Sequence, residues 1–367
     1  MADWHTHVCT STYTADVSGV CSMLYELGGM TVLHDPSGCN STYTTHDEPR
    51  WYDTNSLMFL SGLDEIHAIY GDDTKLIEDT CLAAQRLKPR FITLCGASIP
   101  HIIGFDYKGV AHIIEQRTNI PVLPVETDGI KSYVSGCDLA LKAWLERFAK
   151  TNKKNTSINV LGVTPIDFMN DTIVNDTKQT IASMGYTIQT IAAMHTAFTQ
   201  LQQIPDASCN LVVSSCARKT ARYLQRKYQM PYVEGLPVGP YMYAKIQQAL
   251  SSSTTTKAYE ETQGSDIVVI GEEIYAKSMA TEITHTTNYT AAALFPDVHA
   301  GLDEDTLLTL TRQAKLVIAD PLFQNCIHTK LLAIPHIAYS GRIYLNQAVR
   351  YTNKDFDLKQ NIERALL

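Results

Sequence analysis

Short β-branched and apolar runs punctuate the chain at 30–33, 66–70, 90–95, 122–125, 158–163, 211–214, 267–270 and 316–319. Between them lie longer stretches whose apolar residues recur at helical spacing, beginning with a helix expected over 16–27. Strands of four to six residues alternating with helices make βαβ units, so the pattern predicts an α/β fold with mainly parallel sheets. Two polar breaks interrupt it, KTNKKNT at 150–156 and SSSTTTKAYEETQ at 251–263. They divide the chain into three Rossmann-like domains, 1–150, 151–255 and 256–367, without an internal sequence repeat.

A length of 367 residues supports this division, because a single core stops growing at roughly 250 to 300 residues. A formal charge of −8 argues against a phosphate-backbone partner, which would call for a basic face. Nucleic acid is therefore not an expected ligand. No run approaches the roughly 18 apolar residues of a membrane span, and the polar start at 1–10 is unlike a signal peptide, so a soluble cytoplasmic protein is expected.

Nine cysteines change the picture. Disulfides are rare in a reducing compartment, which makes metal or redox chemistry the first question. No CxxC pair occurs, so zinc ribbons and thioredoxin-like sites have no support, and any ligands must come from distant parts of the chain. In open parallel sheets, ligands bind beyond the carboxyl ends of the strands. Cys95 and Cys216 fall at such ends. Cys39 closes TVLHDPSGC (31–39), a strand running into a Pro-Gly turn that exposes the thiol and frees backbone N–H groups. Cys95 stands in RFITLCGASIPHIIGFD (90–106).

These segments resemble the nitrogenase component 1 family, which includes the MoFe-type proteins and the dark-operative protochlorophyllide reductase. TVLHDPSGC is similar to the family's HGPxGC segment. LSGLDEIHAIYGDDTKL (60–76) resembles the stretch that ends in a Gly and Lys-Leu turn, through Gly71, Lys75 and Leu76, and LCGASIPHIIGFD matches at Cys95, Ile103, Gly104 and Asp106. The resemblance implies an iron–sulfur cluster at a subunit interface, either a 4Fe–4S cubane or a larger P-cluster-like group. Cys39 and Cys95 would hold it with a third cysteine, for which Cys9 is the first choice and Cys21 the alternative. Clusters usually take four thiolates, so three per chain leave a place that a dimer supplies. That dimer is either a homodimer or a paralogous heterodimer.

LVVSSCARKTARYLQRKYQMPYVEGLPVGP (211–240) resembles the MoFe-type segment whose Cys-x-Arg binds the active-site metal cluster, here Cys216 and Arg218. AIPHIAYSGRIY (333–344) places His336 beside a YSG segment, as in the family's histidine ligand. The resemblance thus assigns Cys216 and His336 to a possible second metal cluster. A histidine that only caps a strand end accounts equally well for His336, and one more thiol at the start of a helix for Cys216. His5, His7 and His34 lie near the proposed cluster cysteines, with solvated or capping roles as their default, and His328 is a weaker candidate. Cys81, Cys137 and Cys326 are expected to pack, and Cys209 to sit in a loop or core.

No GxxxxGK[ST] loop and no GxGxxG turn after a strand is present, so neither ATP hydrolysis nor dinucleotide binding is expected. The resemblance implies an oxidoreductase fed by a separate ATP-dependent iron–sulfur reductase, similar to the nitrogenase iron protein. Such a subunit would reduce its substrate between the domains. A small unsaturated molecule is expected if a second cluster is bound, and a bulky conjugated one if it is not. Two other readings compete: a scaffold of the same fold for cofactor or cluster assembly, and a cluster-free ligand-binding protein.

Overall fold

The structure, a computed structural model, describes residues 15–36, 48–151, 153–296, 302 and 304–367. Its strands form three parallel sheets. The first contains β1 (Met30–His34), β2 (Leu57–Leu60), β3 (Ile92–Gly96) and β4 (Val122–Pro124) in the order 2-1-3-4. The second contains β5 (Ile158–Val163), β6 (Ile188–Ala193), β7 (Cys209–Val212), β8 (Tyr232–Glu234) and β9 (Thr256–Lys257) in the order 6-5-7-8-9. The third contains β10 (Ile267–Ile270), β11 (Ala291–Leu294), β12 (Leu316–Ala319) and β13 (Lys330–Ala333) in the order 11-10-12-13.

In all three sheets the first strand sits between the second and third, so the chain changes direction beside it. That switch point is where a crevice opens at the carboxyl ends of an open sheet. The central strands β1, β3, β5, β7, β10 and β12 are buried along their whole length, as a sheet covered by helices on both faces requires.

Residues 66–70, expected as a strand, lie in the helix Glu65–Tyr70 instead. Asp64 caps it by accepting from the Ile66 and His67 amides, Gly71 ends it at φ 62°, and none of its residues is buried. The expected strand at 211–214 lies two residues earlier, at Cys209–Val212. The polar break at 251–263 carries the exposed edge strand β9.

The first helix, Asp16–Leu24, crosses the helix Tyr133–Phe148 at Gly19 and Gly136. A Cβ on Gly19 would overlap the Tyr133 carbonyl oxygen, and one on Gly136 would overlap that of Asp16. Only hydrogen lets the two backbones approach this closely. Asp16 anchors the same helix by accepting from the Asp128 and Gly129 amides at 3.0 and 2.9 Å.

Between the second and third sheets, Arg218 is clamped by Glu234 at 3.1 Å and Glu273 at 2.7 Å. The C-terminal segment returns to the second sheet's helices, where Arg350 and Asn353 both bond Asp176.

Candidate functional site

At the first switch point, β1 and β3 run side by side, with Leu33 opposite Cys95 and His34 opposite Gly96. Cys95 is fully buried, its Sγ 3.9 Å from the Val32 carbonyl oxygen. The side chain of Cys21, from the first helix, lies beside it. That contact and burial together push the Cys21 thiol well above its ordinary value, so it stays protonated unless a metal takes the proton's place. His34 is buried at the end of β1, with Nδ1 2.9 Å from the Ser61 hydroxyl and its ring 4.4 Å from that of Phe105. Burial lowers it to about 4, which keeps the imidazole neutral. Cys9, Cys39, His5 and His7 lie outside the described residues.

The second and third switch points meet around Asp167. The loop after β5 runs Thr164-Pro165-Ile166-Asp167, and its proline starts a single helical turn that aims Asp167 inward. Asp167 Oδ2 accepts from the Ser214 hydroxyl at 2.6 Å, the Thr164 hydroxyl at 2.9 Å and the Cys216 thiol at 3.6 Å. From the third sheet, His336 brings Nε2 to 3.5 Å from Asp167 Oδ1. His336 Nδ1 accepts from the Ala338 amide at 3.2 Å, so the neutral ring carries its proton on Nε2, facing the carboxylate. The two residues singled out from distant segments, Cys216 and His336, are thus brought together on one carboxylate that sequence reasoning missed. An aspartate two residues past a strand-end proline was the available signal.

Glu272, at the carboxyl end of β10, completes the group by accepting from the Ser215 amide at 2.8 Å and the Tyr275 amide at 2.9 Å. Burial, reinforced by the nearby Asp167 charge, raises Glu272 to about 7. Cys216 is raised well above its ordinary range, first by burial and then by its contact with the Cys137 thiol. Cys137 in turn reaches the Gly19 carbonyl oxygen at 3.5 Å.

These donors do not fit a metal cluster. Cys216 and His336 both face Asp167, and the other ring nitrogen of His336 is occupied. Among the described residues, no group of three or more His, Cys, Asp or Glu side chains is arranged to hold a metal ion. The adjacent thiols of Cys21 and Cys95 do fit iron–sulfur chemistry in donor type, since such clusters are held by cysteine sulfur. Cys81 and Cys209 are buried and free. His328 is exposed.

A cleft of about 820 Å³ opens between the first and second sheets, with Tyr25, Glu26, Arg50, Met169, His195 and Thr196 in its wall. Met169 and His195 adopt positive φ, 57° in both. Met169 is the centre of a tight turn in which the Asn170 amide bonds the Phe168 carbonyl at 2.6 Å, a conformation that strains a side-chain-bearing residue. His195 bridges Asp171 and Lys178 at 2.8 Å on either side. Glu26 spans the cleft mouth, accepting from Arg50 and from the Thr196 amide.

The model of the family described as nitrogenase component 1 type oxidoreductase matches residues 21–288. The B-type subunit of light-independent protochlorophyllide reductase from Crocosphaera subtropica is 24% identical over 161 residues, 42% of this chain and 32% of that protein. Its counterpart from Dinoroseobacter shibae is 26% identical over 175 residues, covering 46% and 33%. That of Synechocystis is 29% identical over 207 residues, covering 52% and 41%. The aligned region thus spans under half the length of these curated relatives. Among solved structures, one titled nitrogenase Cp1 at pH 6.5 superposes with a TM-score of 0.70 at 13% identity, covering 100% of this chain and 94% of that one, which shows a shared fold.

Proposed function

The chain belongs to the nitrogenase component 1 type oxidoreductase family, and on that premise we propose that it is a reductase subunit that accepts electrons through an iron–sulfur cluster shared between two chains. The observation that carries this reading is the thiol pair at the first switch point, Cys21 against Cys95. Cys39 and Cys95 hold the cluster with Cys9 or Cys21, and the adjacency to Cys95 favours Cys21. When bound, the cluster supplies one-electron storage at low potential. The electrons come from a separate ATP-dependent iron–sulfur reductase.

Pairing of two chains, identical or paralogous, is supported by the apolar face beside this switch point. Ile66, Ile69 and Tyr70, at i, i+3 and i+4 on one short helix, are 68, 79 and 82% exposed, and exposed apolar side chains grouped on one face mark association surfaces.

The packed centre around Asp167 favours a conjugated substrate over a second metal cluster. Its place is the cleft beside Met169 and His195, whose volume lies in the range of small-molecule sites, about 300–1,000 Å³. There Asp171, His195 and Lys178 form a hydrogen-bonded row able to hand on a proton. Lys178, whose ordinary value burial lowers, stands behind His195 as the donor. Reduction then needs electrons from the cluster and protons from this row.

Air-free purification with iron and sulfide analysis, followed by turnover with a partner reductase and ATP, tests the reading. Iron with reductase-dependent product supports it. Iron or cofactor that passes to another protein without turnover selects an assembly scaffold, and iron-free protein refutes the cluster.

A further inference from the structure

Sharing no wall residue with that cleft, the helices Tyr133–Phe148 and Arg218–Tyr228 enclose a groove of about 690 Å³. Lys219, Arg222 and Arg226 stand at i, i+3 and i+7 on the second helix, one stripe along its surface, and all three line the groove. Lys142 faces them from the first helix. Neighbouring like charges on a helix repel one another and lower its stability unless something of opposite charge lies between them.

Some surface cations find carboxylates, as Lys75 does with Asp79, Lys108 with Glu126 and Lys315 with Asp266, while others, such as Arg86, Arg117 and Lys359, stand singly on the surface among the described residues. Among the described residues, the side chains of Lys219, Arg222 and Arg226 have no such partner, and Lys142 reaches only Glu146, at 3.8 Å. The groove's own carboxylate, Asp138, is already committed. It accepts from the Thr220 amide at 2.7 Å and the Thr220 hydroxyl at 2.9 Å, and burial raises it to about 6. In a chain of net charge −8, four cations thus converge on one concavity whose single carboxylate, Asp138, offsets the charge of Lys219 alone. The floor between the cations is apolar and aromatic, made by Leu139, Tyr223 and Tyr232.

We propose that this groove binds a small organic anion with two or more negative charges, phosphoryl or carboxylate, carried on a flat apolar body. Arg222 and Arg226 present planar guanidinium forks that suit bidentate contact with a phosphoryl or carboxylate group. Lys142 and Lys219 neutralise the remaining charge, and the ring system lies on Tyr223 and Leu139. The volume is that of a ligand pocket and not of a flat docking face. The assignment does not depend on the chain's binding iron.

The test is calorimetric titration of the purified chain with 1-naphthyl phosphate, inorganic pyrophosphate and neutral 1-naphthol. The aromatic phosphate should bind saturably with one site per chain and weaken as salt is raised. Pyrophosphate should bind less tightly because it leaves the apolar floor uncovered, and 1-naphthol should not bind. The Arg222→Gln, Arg226→Gln double variant alters only exposed side chains and should keep its unfolding midpoint while losing affinity by about tenfold or more. Absence of saturable binding, equal binding of 1-naphthol, or an undiminished affinity in the double variant would overturn the assignment. A sulfur-and-iron assay on the same preparations should be unaffected by the double substitution, which separates this site from the cluster.

Discussion

Cys216 Sγ lies 3.6 Å from Asp167 Oδ2, a thiol and a carboxylate from two loops of the same sheet, buried together where that sheet meets the third. The pair shows what the three switch points have in common: each sheet delivers its polar residues to a dry centre from the carboxyl ends of its inner strands. A carboxylate is tolerated there because hydroxyls of Ser214 and Thr164 replace its water.

Glu272 makes stability depend on pH. Its carboxyl rises from an ordinary 4.5 to about 7 on folding, through burial and then the Asp167 charge. The folded state therefore holds a proton that the unfolded state has released. This contribution is fully present below 4.5 and disappears as pH climbs through about 7. Urea midpoints should fall across that window, and Glu272→Gln should flatten the fall. A variant profile parallel to the wild type would remove Glu272 as its source.

Gly136→Ala places a methyl on the Asp16 carbonyl oxygen. Relief requires the two helices to separate, at a cost of about 3 kcal/mol, the upper part of the range for overpacking. Equilibrium unfolding in urea measures it, and a change within experimental error would mean that the crossing is looser than described.

Arg218→Met strips Glu234 of its cation. Side-chain exposures of 19% and 3% put this pair in the regime where removing one partner costs about 3 kcal/mol or more. Adding Glu234→Gln should restore part of the loss, because the uncompensated charge goes with it. A double-mutant cycle reads the coupling directly, and strict additivity would contradict it.

Under the proposed function, Cys95→Ala reduces iron content and abolishes reductase-dependent activity, whereas Cys81→Ala, on a helix of the first sheet's other face, retains both. Iron retained in the first variant, or lost in the second, assigns the wrong thiols.

The inner strands were legible in the sequence because β-branched runs such as Ile158–Val163 fill both faces of a covered sheet. Two short strands were not: Leu57–Leu60 and Tyr232–Glu234 carry little of that signature. At Glu65–Tyr70, the Ile66, Ile69 and Tyr70 spacing and the Asp64 cap encode a helix, but its apolar residues face outward, contrary to the burial that periodicity suggests. Cys95 and Cys216 were found through their places at strand ends. Asp167 and Glu272 escaped because a lone acidic residue after a strand reads as an ordinary turn or cap until three-dimensional packing removes its water.

The hydrogen-only contact of Gly19 with the Tyr133–Phe148 helix has a mechanical consequence. Two residues along from it, Cys21 rides on a helix that can neither roll nor slide without colliding with carbonyl oxygens. Its sulfur is held like a stylus on a stiff arm, and any disturbance of the arm's seat is transmitted to Cys95.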